Sequence, residues 1–240
     1  MRNMLSSRFF SLIIPAHNEE SYLSETLKHV YALDYPHDRF EALVVENGSS
    51  DATLKEAERF ESEVITVISV SAKSVSSARN AGIDRMNQKA DWAVFLDADT
   101  LLAPSFLCDL DTYLARPGAE HYSVGTTSIR PIRHSRGARF WFAFYDLGHY
   151  LTRTSYALFL VRADTLKRLR FDEKMSNGED LQMIRSARRF GRFFFFRTKT
   201  VATSTRRFDK EGWLKILFLW TFVALLPKSL QRRIEYKVVR

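Results

Sequence analysis

Trp92-Ala93-Val94-Phe95-Leu96-Asp97-Ala98-Asp99-Thr100 sets five uninterrupted apolar residues in front of two carboxylates. Such an apolar run suits a strand buried on both faces. At i and i+2 of extended backbone, Asp97 and Asp99 point to one side. The pair offers hard oxygen ligands to a divalent cation, which commonly shares them with phosphate oxygens and water. A plainer use also exists, since Asp caps strand-to-loop turns.

The flanking sequence decides between the two. Upstream, residues 11–14, 42–45 and 64–70 are brief, largely aliphatic or β-branched runs, each followed by a helical pattern. Asn18-Glu19-Glu20 puts acids in the first turn of one helix, and Ser50 and Asp51 can cap the next. Pro104 is placed to open a helix over 105–114. This strand–helix alternation predicts an α/β fold, its mostly parallel sheet covered by helices on both faces. Ligands of such sheets bind beyond the carboxyl ends of the strands. Four polar clusters fall at such ends: His17 to Glu19, Glu46 to Ser49, Lys73 to Asn80, and Asp97 to Asp99. One would carry little weight; four along one sheet edge describe a site.

After Pro117-Gly118 the pattern loosens. Strands are expected over 123–129, 159–161 and 193–196, a helix over 181–189, and an aromatic-rich helix or loop over 140–151. An apolar helix over 213–226 precedes a basic tail. With no repeat and no linker, the chain reads as one domain over 1–209 with an extension over 210–240.

The 240 residues carry a net charge of +8, and much of the excess crowds the last third: Arg185, Arg188, Arg189, Arg192, Arg197, Arg206, Arg207, Arg232 and Arg233. Such a cluster suits ligand phosphates, a nucleic acid or an anionic membrane surface, or is simply a solvated face. No nucleic-acid-binding motif accompanies it. One cysteine, Cys108, excludes an intrachain disulfide, and its helical setting reads as packing. No apolar run reaches the length of a spanning helix, and the run before Pro15 is too short for a signal peptide. The expectation is a cytoplasmic protein, peripheral at most on the inner face of a membrane.

The series SLIIPAHNEE, VVENGSSD, SARNAGI, FLDADT and NGEDLQMIRSARRFGR resembles the family 2 glycosyltransferases over about residues 10–207. The resemblance implies a GT-A fold with a Rossmann-like central sheet and an inverting transfer from a nucleotide-sugar donor. It implies that Pro15, Ala16, Glu19 and Glu46 hold the nucleoside, and that Lys73 and Arg79 neutralise the diphosphate or orient the Asp pair. Glu46-Asn47 stands where relatives usually show two Asp. Helix-terminal charge complementarity is the plainer reading of Glu19, and a salt bridge that of Arg79. Mn2+ or Mg2+ would rest on Asp99 and Asp97, with Asp97 also facing the donor.

In the NGED motif, Asp180 takes the place of the catalytic base, with Glu179 as neighbour or substitute; helix capping is the alternative. Many relatives carry a metal-binding His after this helix, whereas all six histidines here lie at or before His149. Arg206 and Arg207 stand in that region and suit the leaving phosphate. The Gln-x-x-Arg-Trp sequence of processive synthases is missing, so transfer of one sugar is expected. The acceptor, a glycan or a lipid-linked sugar, is expected along residues 122–156. UDP-sugars are the favoured donors. A sugar-phosphate nucleotidyltransferase would want a Gly-rich basic loop where this chain has acidic PAHNEE. A catalytically inactive membrane or nucleic-acid adaptor would not need Asp97, Asp99 and Asp180 together.

Overall fold

The computed structural model describes residues 7–71, 74–132, 136–175, 177–213 and 215–216. In chain order the elements are β1 (Phe10–Ala16), α1 (Leu23–Tyr31), β2 (Phe40–Glu46), α2 (Thr53–Glu58), β3 (Ile65–Ser69), α3 (Val75–Arg85) and β4 (Trp92–Leu96). There follow β5 (Thr100–Leu102), α4 (Phe106–Leu114), β6 (Tyr122–Thr127), β7 (Arg130–Pro131), α5 (Arg136–Thr152) and β8 (Leu158–Arg162). Last come α6 (Ala163–Leu166), α7 (Glu179–Ala187), β9 (Arg192–Phe196), β10 (Val201–Thr203) and α8 (Arg206–Glu211).

The main sheet has seven strands in the order β3-β2-β1-β4-β8-β6-β9. Strands β1 to β4 are mutually parallel, β8 runs against β4 and β6, and β9 is parallel to β6. The carboxyl ends of β1 to β4 therefore share one edge, as the sequence pattern requires. A second sheet, β5-β10-β7, ties the chain after the Asp pair to its C-terminal part, β10 running against β5 and alongside β7.

Strand alternation builds two cores. Phe10, Leu12, Ile14, Val44, Trp92, Val94, Leu96 and Phe194 face helices α1 and α4 on one side. Ile13, Leu43, Ala93, Phe95, Phe159 and Val161 face Ile83 of α3 and Met183, Ile184 and Ala187 of α7 on the other. These strands are apolar throughout because both faces are covered.

Several expected boundaries shift. The first helix begins at Leu23 rather than at Asn18, because residues 18–20 are tied to the loop after β2. The strand expected over 123–129 is β6, which stops at Thr127; Ser128 is bonded to Thr198, and the short β7 begins only at Arg130. Residues 140–151 are helical, within α5. Cys108 is half-buried, and its thiol donates to the Asp34 carbonyl at 2.8 Å. Of the stretch 213–226, residues 214 and 217–226 lie outside the described residues, as does the basic tail.

Gly82 sets the approach of α3 to β1. A Cβ there would lie 2.5 Å from Ile13 Cγ2, a branched group fixed in the core. Gly82→Val should lower the unfolding free energy by about 1–3 kcal/mol through overpacking. A lower urea midpoint at unchanged slope is the expected reading; a midpoint at or above wild type would contradict this packing.

Candidate active site

The loops after β1 and β2 are laced together. Asn18 adopts a left-handed backbone (φ 55°), which turns its side chain to accept from Ser50 N–H at 2.8 Å. Glu19 N–H donates to Thr53 Oγ1 (2.7 Å), Glu20 N–H to Asp51 (3.3 Å), and Ala52 N–H to Glu20 (2.9 Å). Ala16, buried at the end of β1, accepts from Asn47 N–H at 3.1 Å, and Pro15 beside it is half-buried. Glu46 is buried and holds its own turn: Ser49 N–H and the Ser69 hydroxyl donate to its two oxygens. Burial alone would raise its pKa, but the bonds from Ser49, Ser69 and Gly48 outweigh it and hold the carboxyl below the ordinary value.

Next to this frame, carboxylates crowd around two guanidinium groups. Arg79 of α3, 6% exposed, lies between the rings of Phe159 and Phe171 with 5.4 Å to each centroid. Its Nη1 reaches Glu179 at 2.9 Å and its Nη2 reaches Asp97 at 3.7 Å. A buried arginine flanked by rings is fixed in place. Gly178 (φ 70°) forms the left-handed turn that starts α7, which sets Glu179 and Asp180 in its first turn. Asp180 accepts from Leu181 N–H at 2.6 Å.

On the other side Arg206, at the start of α8, grips Glu19 through both nitrogens at 2.7 Å each. Its Nε meets Asp99 Oδ2 at 3.0 Å, and its guanidinium stands 4.4 Å from the Tyr22 ring centroid. A cleft of about 430 Å³ opens here, its lining including Tyr22, Thr26, Asp99, Ile132, Ser204 and Arg206.

The charges show what this arrangement lacks. Partial burial, offset in part by Arg79, combines with repulsion from Asp99, Asp180 and Glu179 to push Asp97 up to about 7. Its side chain is still 45% open to the cleft, so solvent mutes the effect without changing its sign. Burial and the Glu179 charge push Asp180 up to about 6, against the pull of Arg79. Asp99 is raised as well, by burial, although Arg206 opposes it. Among the described residues no three His, Cys, Asp or Glu side chains cluster closely enough to hold a metal alone. The donor set nonetheless fits a hard divalent cation: two under-neutralised carboxylates, with room for phosphate oxygens and water. At Asp99 such a cation would share the carboxylate with Arg206 or displace it.

The structure thus brings Pro15, Ala16, Glu19, Glu46, Arg79, Asp97, Asp99, Glu179, Asp180 and Arg206 to one edge of the sheet. Lys73 and the side chain of Arg207 lie outside the described residues. Arg206, expected to face a phosphate, is bonded here to Glu19 and Asp99. Several supporting residues were not anticipated. Thr26 of α1 donates to Ala98 O at 2.7 Å and pins the Asp pair; Thr100 and Thr203 bond across the small sheet at 2.8 Å. Asn80 clasps Phe171 N–H and C=O at 2.9 and 3.0 Å and Glu173 at 2.8 Å, fixing the approach to the Asn177-Gly178 turn. Its place in SARNAGI was the available signal, but its partners lie some ninety residues away.

The sequence matches the family described as Glycosyl transferase family 2 over residues 11–175, and the chain belongs to that family. It is 40% identical over 103 residues to the probable glycosyltransferase YdaM of Bacillus subtilis, covering 40% of this chain and 24% of that protein. It is 26% identical over 197 residues to a dolichyl N-acetyl-α-D-glucosaminyl phosphate 3-β-D-2,3-diacetamido-2,3-dideoxy-β-D-glucuronosyltransferase of Methanococcus voltae, covering 72% of this chain and 60% of that one. The chain thus spans only part of the length of these curated relatives. Among solved structures, S. aureus TarS 1–349 in complex with UDP-GlcNAc superposes with a TM-score of 0.66 at 19% identity, over 93% of this chain and 69% of that one. The mannosyltransferase PcManGT of Pyrobaculum calidifontis, in complex with GDP-Man and Mn2+, gives 0.69 at 18% identity, over 98% and 67%. The fold is GT-A.

The raised carboxyls carry a pH signature. Their pKa values in the folded chain exceed the ordinary carboxylate value of ~3.9. Their contribution to stability is therefore complete below about pH 4 and is lost as pH rises through about 6 for Asp180 and about 7 for Asp97. In metal-free buffer, Asp97→Asn should flatten the fall of Tm between about pH 4 and 7. An unchanged slope would contradict this electrostatic account.

Proposed function

We propose that the chain transfers a single sugar from a nucleotide-sugar donor, UDP-sugars preferred, to an acceptor hydroxyl with inversion at the anomeric carbon. The observation that carries the reading is the convergence of Asp97, Asp99, Glu179 and Asp180 on one sheet edge around the buried Arg79. Family membership and the nucleotide sugars named in the TarS and PcManGT complexes support the donor class.

The roles we assign draw on the family resemblance and are compatible with these positions. The edge formed by Pro15, Ala16, Glu19 and Glu46 faces the nucleoside, and carboxylates there can accept hydrogen bonds from ribose hydroxyls or uracil N3–H. Asp99 and Asp97 would hold Mn2+ or Mg2+, which supplies charge neutralisation to the departing nucleoside diphosphate. Arg79 adds fixed positive charge beside the Asp pair, and the family resemblance gives Lys73 a part in neutralising the diphosphate. Arg206 stands 3.0 Å from Asp99 and can pass from that carboxylate to a phosphate oxygen; the family resemblance gives Arg207 the same ligand. Asp180 takes the proton from the acceptor hydroxyl as its oxygen bonds to the anomeric carbon, while the bond to the diphosphate oxygen breaks. A carboxyl titrating near 6 is well matched to that task at neutral pH. Glu179, bonded to Arg79, keeps that arginine from neutralising the base.

On the acceptor side, the Methanococcus relative bears the name of an enzyme acting on a dolichyl-linked sugar phosphate, which supports a lipid-linked acceptor as well as a free glycan. The apolar and then basic stretch over 213–240 suits contact with an anionic membrane surface from the cytoplasmic side. Among the described residues no helix is long and apolar enough to cross a membrane. The division into a catalytic domain over 1–209 and an extension over 210–240 belongs to the same proposal.

The test is turnover with a panel of nucleotide sugars. Asp180→Asn should lose about 10²–10⁴-fold in turnover at nearly unchanged donor affinity. Asp99→Asn should lose both turnover and Mn2+-dependent donor binding, with UDP binding the wild type more tightly than GDP does. Wild-type turnover in Asp180→Asn would move the base elsewhere; metal-independent turnover in Asp99→Asn would remove the metal from the reading.

A further inference from the structure

Helix α5 has two apolar faces, and among the described residues only one of them is packed into the core. Inward, Ala138, Phe142 and Tyr145 are buried, with Phe142 packed on Phe208 (ring centroids 5.6 Å apart) and Trp213 (6.3 Å). Asp146 accepts from Ile129 N–H at 3.1 Å, and His149 stacks on Tyr156 at 4.7 Å. These contacts fix which way the helix is turned.

Outward stand Phe140, Phe144, Leu147 and Leu151, which are 70, 47, 52 and 68% exposed. Their spacing of four, three and four residues puts them on one stripe. Gly137, Ala143 and Gly148, exposed around them, add no polar side chain. The one acid of α5, Asp146, is bonded to Ile129 instead. Soluble proteins seldom leave such a contiguous apolar patch uncovered unless something docks there.

Cations frame the stripe. Arg139 lies at its start and Arg153 just past its end, and Arg197 stands 5.2 Å from the ring centroid of Tyr150, which is itself 47% exposed. All three arginines are exposed, and among the described residues none is ion-paired. An apolar centre with a cationic rim repels a second copy of itself and complements an anionic lipid surface. The same charge complementarity disfavours the basic tail of the chain as the occupant, since Lys228, Arg232, Arg233, Lys237 and Arg240 are offset there by a lone acid, Glu235.

We propose that the outer face of α5 docks on anionic phospholipid, with Phe140, Phe144, Leu147 and Leu151 entering the headgroup–acyl boundary and Arg139, Arg153 and Arg197 meeting the phosphates. This rests on the transferase reading above and gives it a geometry. Ile132, four residues before α5, lines the cleft beside Asp99 and Arg206. A docked α5 holds that rim at the headgroup plane, where a lipid-linked acceptor offers its hydroxyl.

The test sediments the full chain with phosphatidylcholine vesicles containing or lacking about one half phosphatidylglycerol. The wild type should partition onto the anionic vesicles at low salt and come off as salt rises. Phe144→Ser with Leu147→Ser should weaken partitioning at least about tenfold, and Arg139→Gln with Arg153→Gln should weaken it selectively for the anionic vesicles. Both pairs are exposed, so Tm and UDP binding with Mn2+ should match wild type. If UDP binding fails in every form, the transferase reading falls while the vesicle result still decides the surface. The proposal is overturned if the Phe144/Leu147 variant sediments like wild type, if wild type stays in the supernatant, or if the stripe proves to be a self-association surface, seen as a dimer that the variant dissolves.

Discussion

Five carboxylates, Glu19, Asp97, Asp99, Glu179 and Asp180, meet at one edge of the sheet with two guanidinium groups among them. Arg79 is sunk between two phenylalanine rings and serves Asp97 and Glu179; Arg206 is clasped by Glu19 and reaches Asp99. Burial is the main cause that raises Asp97, Asp99 and Asp180, and the neighbouring carboxylates add to it at Asp97 and Asp180 beyond what the two arginines offset. Much of the surrounding architecture serves to hold these groups against their mutual repulsion. Thr26 pins the Asp pair from α1, Asn80 clasps the approach to α7, and the loops after β1 and β2 are laced by reciprocal bonds. A site built this way has a place ready for added positive charge.

The two arginines differ in kind. Arg79 lies in a helix packed on the sheet and is nearly inaccessible, so its charge is a permanent part of the floor. Arg206 follows β10, in the part of the chain tied to the Asp loop through Ser204 N–H on Asp99 O and through the small sheet. Its three contacts, to Glu19, Asp99 and Tyr22, link the nucleoside side of the site, the Asp pair and α1 in one residue. A ligand bringing its own phosphates and cation competes for those contacts, which makes Arg206 the residue most affected by occupancy.

The parallel half of the sheet was legible because each of its strands is covered on both faces, so uninterrupted runs such as 92–96 could be nothing amphipathic. The polar residues at the ends of those runs were legible for the same reason: at a strand's carboxyl end a polar cluster faces solvent or a ligand. The site's two halves were less accessible. Nothing local in the sequence pairs Arg79 with Glu179, one hundred residues apart, or Arg206 with Glu19, because both pairings arise from tertiary packing. The start of α1 was misplaced since the acids at 19 and 20 resemble a helix first turn, while here they bond the loop after β2 and the guanidinium of Arg206. Strands β5, β7 and β10 are two or three residues long, too short for any periodicity to mark them. The outward stripe of α5 lay within a run whose aromatics left helix and loop equally open.

If the carboxylate surplus is what the site is built around, nucleotide binding should depend on a cation that completes the charge. The direct measurement is calorimetric titration of UDP into the full chain, in Mn2+ and again in EDTA. The account predicts binding at least about tenfold tighter with Mn2+. Equal affinity in EDTA would contradict it, because the two arginines would then suffice for the diphosphate and the crowded carboxylates would need another explanation.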